Sequence, residues 1–307
     1  PMSDFRSGFV AIVGRPNVGK STLINALVGS KIAITSHHPN TTRSAIRGIV
    51  HGENFQAVLV DTPGVHKPKT LLGHRLNAVV DQSMDSVDVV ILCIPADETS
   101  GAGDIYIAQE IAKHPRAKKF AVITKTDLLS KEKLALRLTG IMELAQGFTW
   151  DEIIPVSAAI HDQIDLLNTL IGAALPAGPA YYPEGTTSDQ AIEQLICEFI
   201  REAALQDVRE ELPHSIVVTI DEFGEREEKG SRPFYDVHAT IHVERDTQRA
   251  ILLGHQGTRL KEIGIRARAD IERALVAKIF LGLHIKVSKE WQRDARMLDK
   301  LGFEERR

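Results

Sequence analysis

The stretch FVAIVGRPNVGKSTLINALVG, residues 9–29, decides the fold. An apolar β-type run (9–13) leads into the glycine-bounded octet GRPNVGKS (14–21) and then into the helical run STLINALVG (21–29). In a strand, glycine-rich turn and helix in that order, successive backbone N–H groups can face a phosphate, aided by the positive end of the helix. Gly14 and Gly19 let the backbone curl; Lys20 is expected to bridge the β- and γ-phosphates, and the Ser21 hydroxyl to hold magnesium. Arg15, Pro16, Asn17, Val18 and Thr22 complete the expected nucleotide-contacting segment.

Working outward, β-type runs recur at 56–60, 87–94, 120–124 and 152–157, with helical stretches between them. Such alternation argues for a parallel α/β sheet, whose phosphate ligands lie beyond the carboxyl ends of the strands. Four of the five runs meet a polar motif there. DTPG (61–64) offers Asp61 as a magnesium partner and the Gly64 amide as a sensor of the γ-phosphate, with Thr62, Pro63 and Val65 beside them. TKTD (124–127) offers Asp127, an acceptor-only carboxylate that matches the two adjacent donors of guanine and not adenine. Thr124, Lys125 and Thr126 accompany it, Lys125 along the base plane. VSA (156–158), comprising Val156, Ser157 and Ala158, offers a backbone amide to the guanine O6.

At 307 residues, 43% hydrophobic and 25% charged, the chain has the composition of an ordinary globular protein of two domains. Cys93 and Cys197, its only cysteines, sit in apolar stretches and read as thiols of a reducing compartment, which points to the cytoplasm. No apolar run approaches membrane-spanning length. The net charge of −4 is unevenly spread: residues 245–300 hold 13 Lys and Arg against 7 Asp and Glu, whereas 184–244 hold 5 against 15. Three prolines and two glycines crowd the stretch around 175–190. The expected division is therefore a nucleotide domain over 1–175, a linker over 176–190 and a second, smaller α+β domain over 191–307. Thr187 and Gln190 suggest a capping box ahead of a helix carrying Ile192, Leu195, Ile196, Phe199, Ile200 and Ala203 on one face. Two strand-like runs follow, bracketing the charged tip GEREEKGSRP, whose acidic residues read as a solvated hairpin end.

The set GRPNVGKS, NTTR, DTPG, TKTD and VSA resembles the motifs of the translation-factor-like P-loop GTPases, in the branch containing Era, the tRNA-modification GTPase and Der. With one GTPase domain first and a basic domain after, the chain is similar to the Era family over nearly its whole length. That resemblance implies a mostly parallel sheet, magnesium-dependent hydrolysis of GTP to GDP, and Thr42 as the switch threonine reaching magnesium and the γ-phosphate, with Thr41 in the neighbouring register. It also implies catalytic parts for Lys20, Asn17, Thr42 and Gly64. Two departures stand out. Val65 occupies the place where many relatives carry a glutamine that orients water, and the family solution implied by Asn17 is a potassium ion beside the phosphates. Thr124 stands where the family usually has Asn, and a threonine cannot supply the amide that contacts guanine N7 and ties neighbouring loops together.

Within 249–275, Gly254 and Gly257 form a GxxG turn between two helix-like segments in the basic region. The order helix, strand, strand, helix, GxxG, helix, strand resembles the KH domain of that family, which implies single-stranded RNA held near the loop. The implied RNA is the 3′ region of 16S ribosomal RNA, with a role in assembly of the 30S subunit. Arg259, Lys261, Arg266 and Arg268 are expected to attract phosphates, while His255 and Gln256 replace the lysine common in such loops. Trp291, ahead of Arg293 and Arg296, reads equally as an RNA contact or a packing anchor. His37 and His38 read as part of a polar switch loop. A monomer is expected, and peripheral association with the inner membrane face stays open alongside the rival reading of a nucleotide-gated module that recruits protein or membrane.

Overall fold

The computed structural model describes residues 5–33, 46–62, 78, 80, 83–206, 208, 215–226, 232–301 and 303. These form two compact units, one extending to Asp189 and one beginning at Gln190. The first runs β1 (Arg6–Val13), α1 (Lys20–Val28), β2 (Ile46–His51), β3 (Phe55–Asp61), β4 (Val89–Pro95), α2 (Ala102–Ala112), β5 (Lys118–Thr124), α3 (Lys131–Met142), β6 (Glu152–Pro155) and α4 (Ile164–Ala174). The strands form one sheet in the order β2-β3-β1-β4-β5-β6, parallel except for β2, which pairs antiparallel with β3.

The inner strands read as continuous apolar runs because both of their faces are covered. All seven residues of β4 are buried. Val10, Ile12, Ile91, Cys93 and Val122 pack on one side with Leu23, Ile24 and Leu27 of α1 and Ile164, Leu167 and Ile171 of α4. Ala11, Val13, Val90, Leu92, Ile94 and Ile123 pack on the other with Ile107 and Ile111 of α2 and Ile141 of α3. β1 sits between β3 and β4, so the chain leaves it in both directions, and the crevice beyond its carboxyl end is the switch point of the sheet.

Two features differ from the expectations above. β2 was not among the sequence-derived runs: it is short and carries Gly48 at its centre, where a Cβ would come within 2.6 Å of Ile32 Cδ1. Residues 177–189 do not hang between the units but lie along the first one. Ser7 Oγ donates to the Pro179 carbonyl (2.6 Å), and Gln56 Oε1 accepts from the amides of Tyr181 (2.7 Å) and Tyr182 (3.0 Å). The Ile49 amide donates to the Thr187 carbonyl (2.9 Å), and Gly48 bridges to Ser188. The Thr187 carbonyl is thus taken by β2, and the expected capping box does not form: the next helix starts at Ile192 with Ala191 as its N-cap and no side-chain cap.

The second unit runs α5 (Ile192–Leu205), β7 (Val217–Arg226), β8 (Phe234–Val243), α6 (Asp246–Leu253), α7 (Thr258–Leu275), β9 (Lys278–Val287) and α8 (Ala295–Lys300). Its sheet has the order β7-β8-β9, antiparallel then parallel. Ile196, Phe199, Ile200 and Ala203 of α5 meet Val237, Ala239 and Ile241 of β8 and Ile263, Ala267 and Ile271 of α7 in one core. Truncating a fully buried Phe such as Phe199 to Ala costs about 3–5 kcal/mol, a large share of the roughly 5–15 kcal/mol that holds a domain folded. α5 is therefore an integral wall of this unit. Trp291 resolves to the packing reading: it is fully buried, donates Nε1–H to the Ser215 carbonyl (3.1 Å) and stacks on Phe303.

Candidate functional site

The turn between β1 and α1 wraps around its own lysine. Lys20 Nζ, almost fully buried, donates to the carbonyls of Gly14 (3.1 Å) and Arg15 (2.8 Å). Burial pushes the ammonium's pKa down, opposed by the negative charge of Asp61. Asn17 (φ 64) and Gly19 (φ 93) take the left-handed backbone that the curl demands, and Asn is among the few side chains that tolerate it. Gly14 is required for space: a Cβ there would lie 2.9 Å from the Cys93 carbonyl oxygen. Val18 faces the core, and Thr22 and Asn17 are exposed.

Ser21, at the start of α1, donates its hydroxyl to Asp61 Oδ2 at the end of β3 (2.8 Å). A hydroxyl and a carboxylate at that distance, beside a cradle of backbone amides, are the hard-oxygen set that suits magnesium, which takes few protein ligands and completes its shell with water and phosphate oxygens. Thr62 is buried and donates to the Ile12 carbonyl (2.7 Å), fixing the β3 end to β1. Thr41, Thr42, Pro63, Gly64 and Val65, together with His37 and His38, lie outside the described residues.

At the end of β5, Thr124 corrects one expectation. Its hydroxyl donates to the Val18 carbonyl of the phosphate loop (2.5 Å), so the tie between loops that an amide was expected to make is made by a hydroxyl instead. That hydroxyl has one proton, and the carbonyl takes it. Asp127 receives the Ser157 hydroxyl on Oδ1 (2.6 Å), and the Thr126 amide donates to the Val156 carbonyl (3.3 Å), so the 124–127 and 156–158 segments are locked together. Ala158 packs against the core. Lys125, at φ 59, reaches within 4.0 Å of Asp97, and Arg15 turns its guanidinium to Glu98 and Asp104. Those three acids follow β4, the one apolar run without a motif in the sequence, and nothing in ADETSGAGD signals a phosphate or base contact.

Both thiols are inert. Burial pushes Cys93 and Cys197 each up to about 12, which leaves them protonated at neutral pH.

In the second unit the GxxG turn joins α6 to α7. Gly254 (φ 69) has no room for a side chain, since a Cβ would sit 2.7 Å from Arg259 Cβ, and Gln256 (φ 51) and Gly257 (φ 78) are left-handed. His255 and Gln256 are exposed at its tip, and exposed apolar Leu253 stands just before it. The expected basic cluster is only partly free to act. Arg259 donates to the Gln206 carbonyl (3.1 Å), Arg266 to Gln206 Oε1 (3.2 Å) and Arg268 to Glu272 (3.1 Å), whereas Lys261 is exposed. Two of the four cations are therefore bound to the end of α5.

Replacing Thr124 with Val keeps the shape and strands the Val18 carbonyl, a loss of about 1–3 kcal/mol for a buried acceptor. Thr124→Val is expected to weaken guanine-nucleotide binding about tenfold in a fluorescent-nucleotide titration, and unchanged affinity would show that the tie is immaterial to the loop.

Residues 9–125 match the family model described as a 50S ribosome-binding GTPase, and residues 211–292 match that of the KH domain. The chain is similar to GTPase Era of Nocardioides sp., 52% identical over 99% of this chain and 98% of that one. It is likewise similar to GTPase Era of Mycobacterium tuberculosis, 53% identical over 98% of this chain and 100% of that one. Among solved structures, Era in complex with MgGDPNP and nucleotides 1506–1542 of 16S ribosomal RNA aligns at a TM-score of 0.91 and 34% identity, over 98% of this chain and 100% of that one. A variant of Aquifex aeolicus Era bound to GDP·AlF4⁻ aligns at 0.91 and 33%, with the same coverage. With half of all residues identical along nearly the full length of both partners, this chain belongs to the Era family of GTPases.

Proposed function

We propose that the chain is a switch that hydrolyses GTP to GDP and phosphate and, according to the nucleotide held, binds or releases single-stranded RNA of the 3′ region of 16S ribosomal RNA during 30S subunit assembly. The nucleotide part is the unit that extends to Asp189 and the RNA part the unit that begins at Gln190. The protein acts as a cytoplasmic monomer. The observation that carries the reading is the convergence of a buried lysine, the Ser21–Asp61 pair and the Ser157–Asp127 pair at the carboxyl edge of one sheet.

In this reading the amides of 14–21 and the Lys20 ammonium receive the β- and γ-phosphates, and Asp127 pairs with the guanine N1–H and amino group while the Ala158 amide meets O6. Ser21, Asp61 and Thr42 hold magnesium, which neutralises charge on the phosphate oxygens. Thr42 and Gly64 engage only while the γ-phosphate is present, so hydrolysis releases both segments. Around Gly254 and Gly257 the backbone can approach the nucleic-acid chain closely, Lys261 adds charge, and Leu253 offers an apolar flank for unpaired bases. Support for an RNA ligand comes from the solved relative that carries nucleotides 1506–1542 of 16S ribosomal RNA.

The full chain, loaded with GDP or with a non-hydrolysable GTP analogue, should bind a single-stranded 3′-end oligonucleotide with steep salt dependence and a duplex control weakly. Absent or salt-insensitive binding sinks the RNA reading, and binding to anionic vesicles in its place favours a peripheral membrane role.

Potassium is proposed beside Asn17. Since Asn17 also holds a left-handed turn, the two roles are separated by Asn17→Gly, which keeps that backbone and deletes the carboxamide. Wild-type hydrolysis should fall when sodium replaces potassium, and Asn17→Gly should hydrolyse slowly in both; equal wild-type rates in the two salts end the potassium proposal.

A further inference from the structure

The loop after β4 and the first turn of α2 touch both nucleotide segments at once. Arg15 Nε donates to Asp104 Oδ1 (2.9 Å) and Nη2 to Glu98 Oε2 (3.0 Å). Asp104 is fully buried, and its second oxygen accepts the Gly101 amide (2.9 Å), so the carboxylate caps α2 and clamps the arginine together. Gly103 lets the arginine stem lie on the helix: a Cβ there would come within 2.6 Å of Arg15 Cδ. On the other side of the loop, Asp97 stands 4.0 Å from Lys125. The loop is itself tethered, because Arg137 of α3 donates to the carbonyls of Pro95 (3.3 Å) and Glu98.

We propose that Asp104 and Glu98, acting through Arg15, are positioning residues for the phosphate site, and that the 96–104 segment is the brace that sets the phosphate loop. The inference rests on the nucleotide reading above. The route is short. The carbonyl of Arg15 accepts from Lys20 Nζ at 2.8 Å, so the residue whose side chain is clamped from outside also fixes the ammonium from inside. Displacements of an ångström in such a site are felt strongly in binding and rate. The three acids are not equal. Asp104 is shielded from water and its pairing is correspondingly strong, whereas Glu98, half exposed, and Asp97, a third exposed and at the limit of contact, are screened.

The test is direct titration of the full chain with Mg·GDP, recording the dissociation constant, the titratable fraction and the melting temperature. Asp104→Asn and Arg15→Met are each expected to weaken Mg·GDP about tenfold, and the double variant no more than the worse single, since both break one contact. Glu98→Gln should weaken it less than about threefold. IDP, which lacks the guanine amino group, should lose in the same proportion as GDP, because the brace acts on phosphates. Arg15→Lys, which keeps the charge and loses the two-way fork, provides a second route should the buried Asn prevent folding, and should weaken Mg·GDP several-fold. A dissociation constant unchanged in Arg15→Met and Arg15→Lys, with only the melting temperature or titratable fraction lowered, overturns the proposal. Wild-type protein that fails to bind Mg·GDP overturns instead the nucleotide reading on which it rests.

Discussion

The ammonium of Lys20 is buried inside its own loop, and the rest of the first unit is arranged around that fact. A buried cation is expensive unless its donors are satisfied. Here two carbonyls of its own loop satisfy it, and they can do so only if the loop curls through left-handed positions at Asn17 and Gly19. Around the curl, Gly14 lies against the Cys93 carbonyl, the Thr124 hydroxyl bonds the Val18 carbonyl and the Arg15 guanidinium pairs with Asp104. The three contacts reach β4, the end of β5 and the helix after β4. The sheet holds those ends in fixed register, so the site inherits its geometry from strand order.

Much of this was legible in the sequence because motifs of this kind mark places where backbone must approach a ligand, and few residue types permit that. Gly14, Gly19 and Lys20 read directly. The four inner strands β1, β3, β4 and β5 read directly too, since burial on both faces leaves a nearly unbroken apolar run. β2 was not legible: an edge strand with a central glycine has neither an apolar run nor a clean alternation. The Arg15 clamp was invisible for another reason. Nothing in ADETSGAGD distinguishes an acid aimed at a distant arginine from one facing water, and only the packing of α2 against the phosphate loop makes the difference.

Thr124 shows the converse. Judged against its relatives' usual asparagine it looks like a loss, yet the structure gives its hydroxyl the loop-tying bond and leaves it no proton for the base. In the second unit the charge pattern promised more than the geometry provides. Arg259 and Arg266 hold the end of α5, so their charge is partly committed to Gln206. Charge counts along a sequence report potential, whereas the bonds that groups already make set how much of it is available.

The pairing of 187–188 with β2 has a separate consequence for solubility. β2 is an outer strand of the six-stranded sheet, and an unpaired strand edge is a template on which a second molecule can add. The chain covers part of that edge with its own segment, through the Ile49–Thr187 bond and the Gly48–Ser188 bridge. The other outer strand, β6, spans only Glu152–Pro155 and offers little to pair with. The stretch leading out of the first unit thus doubles as an edge guard, and a fragment cut ahead of it would expose the backbone of β2 to its neighbours.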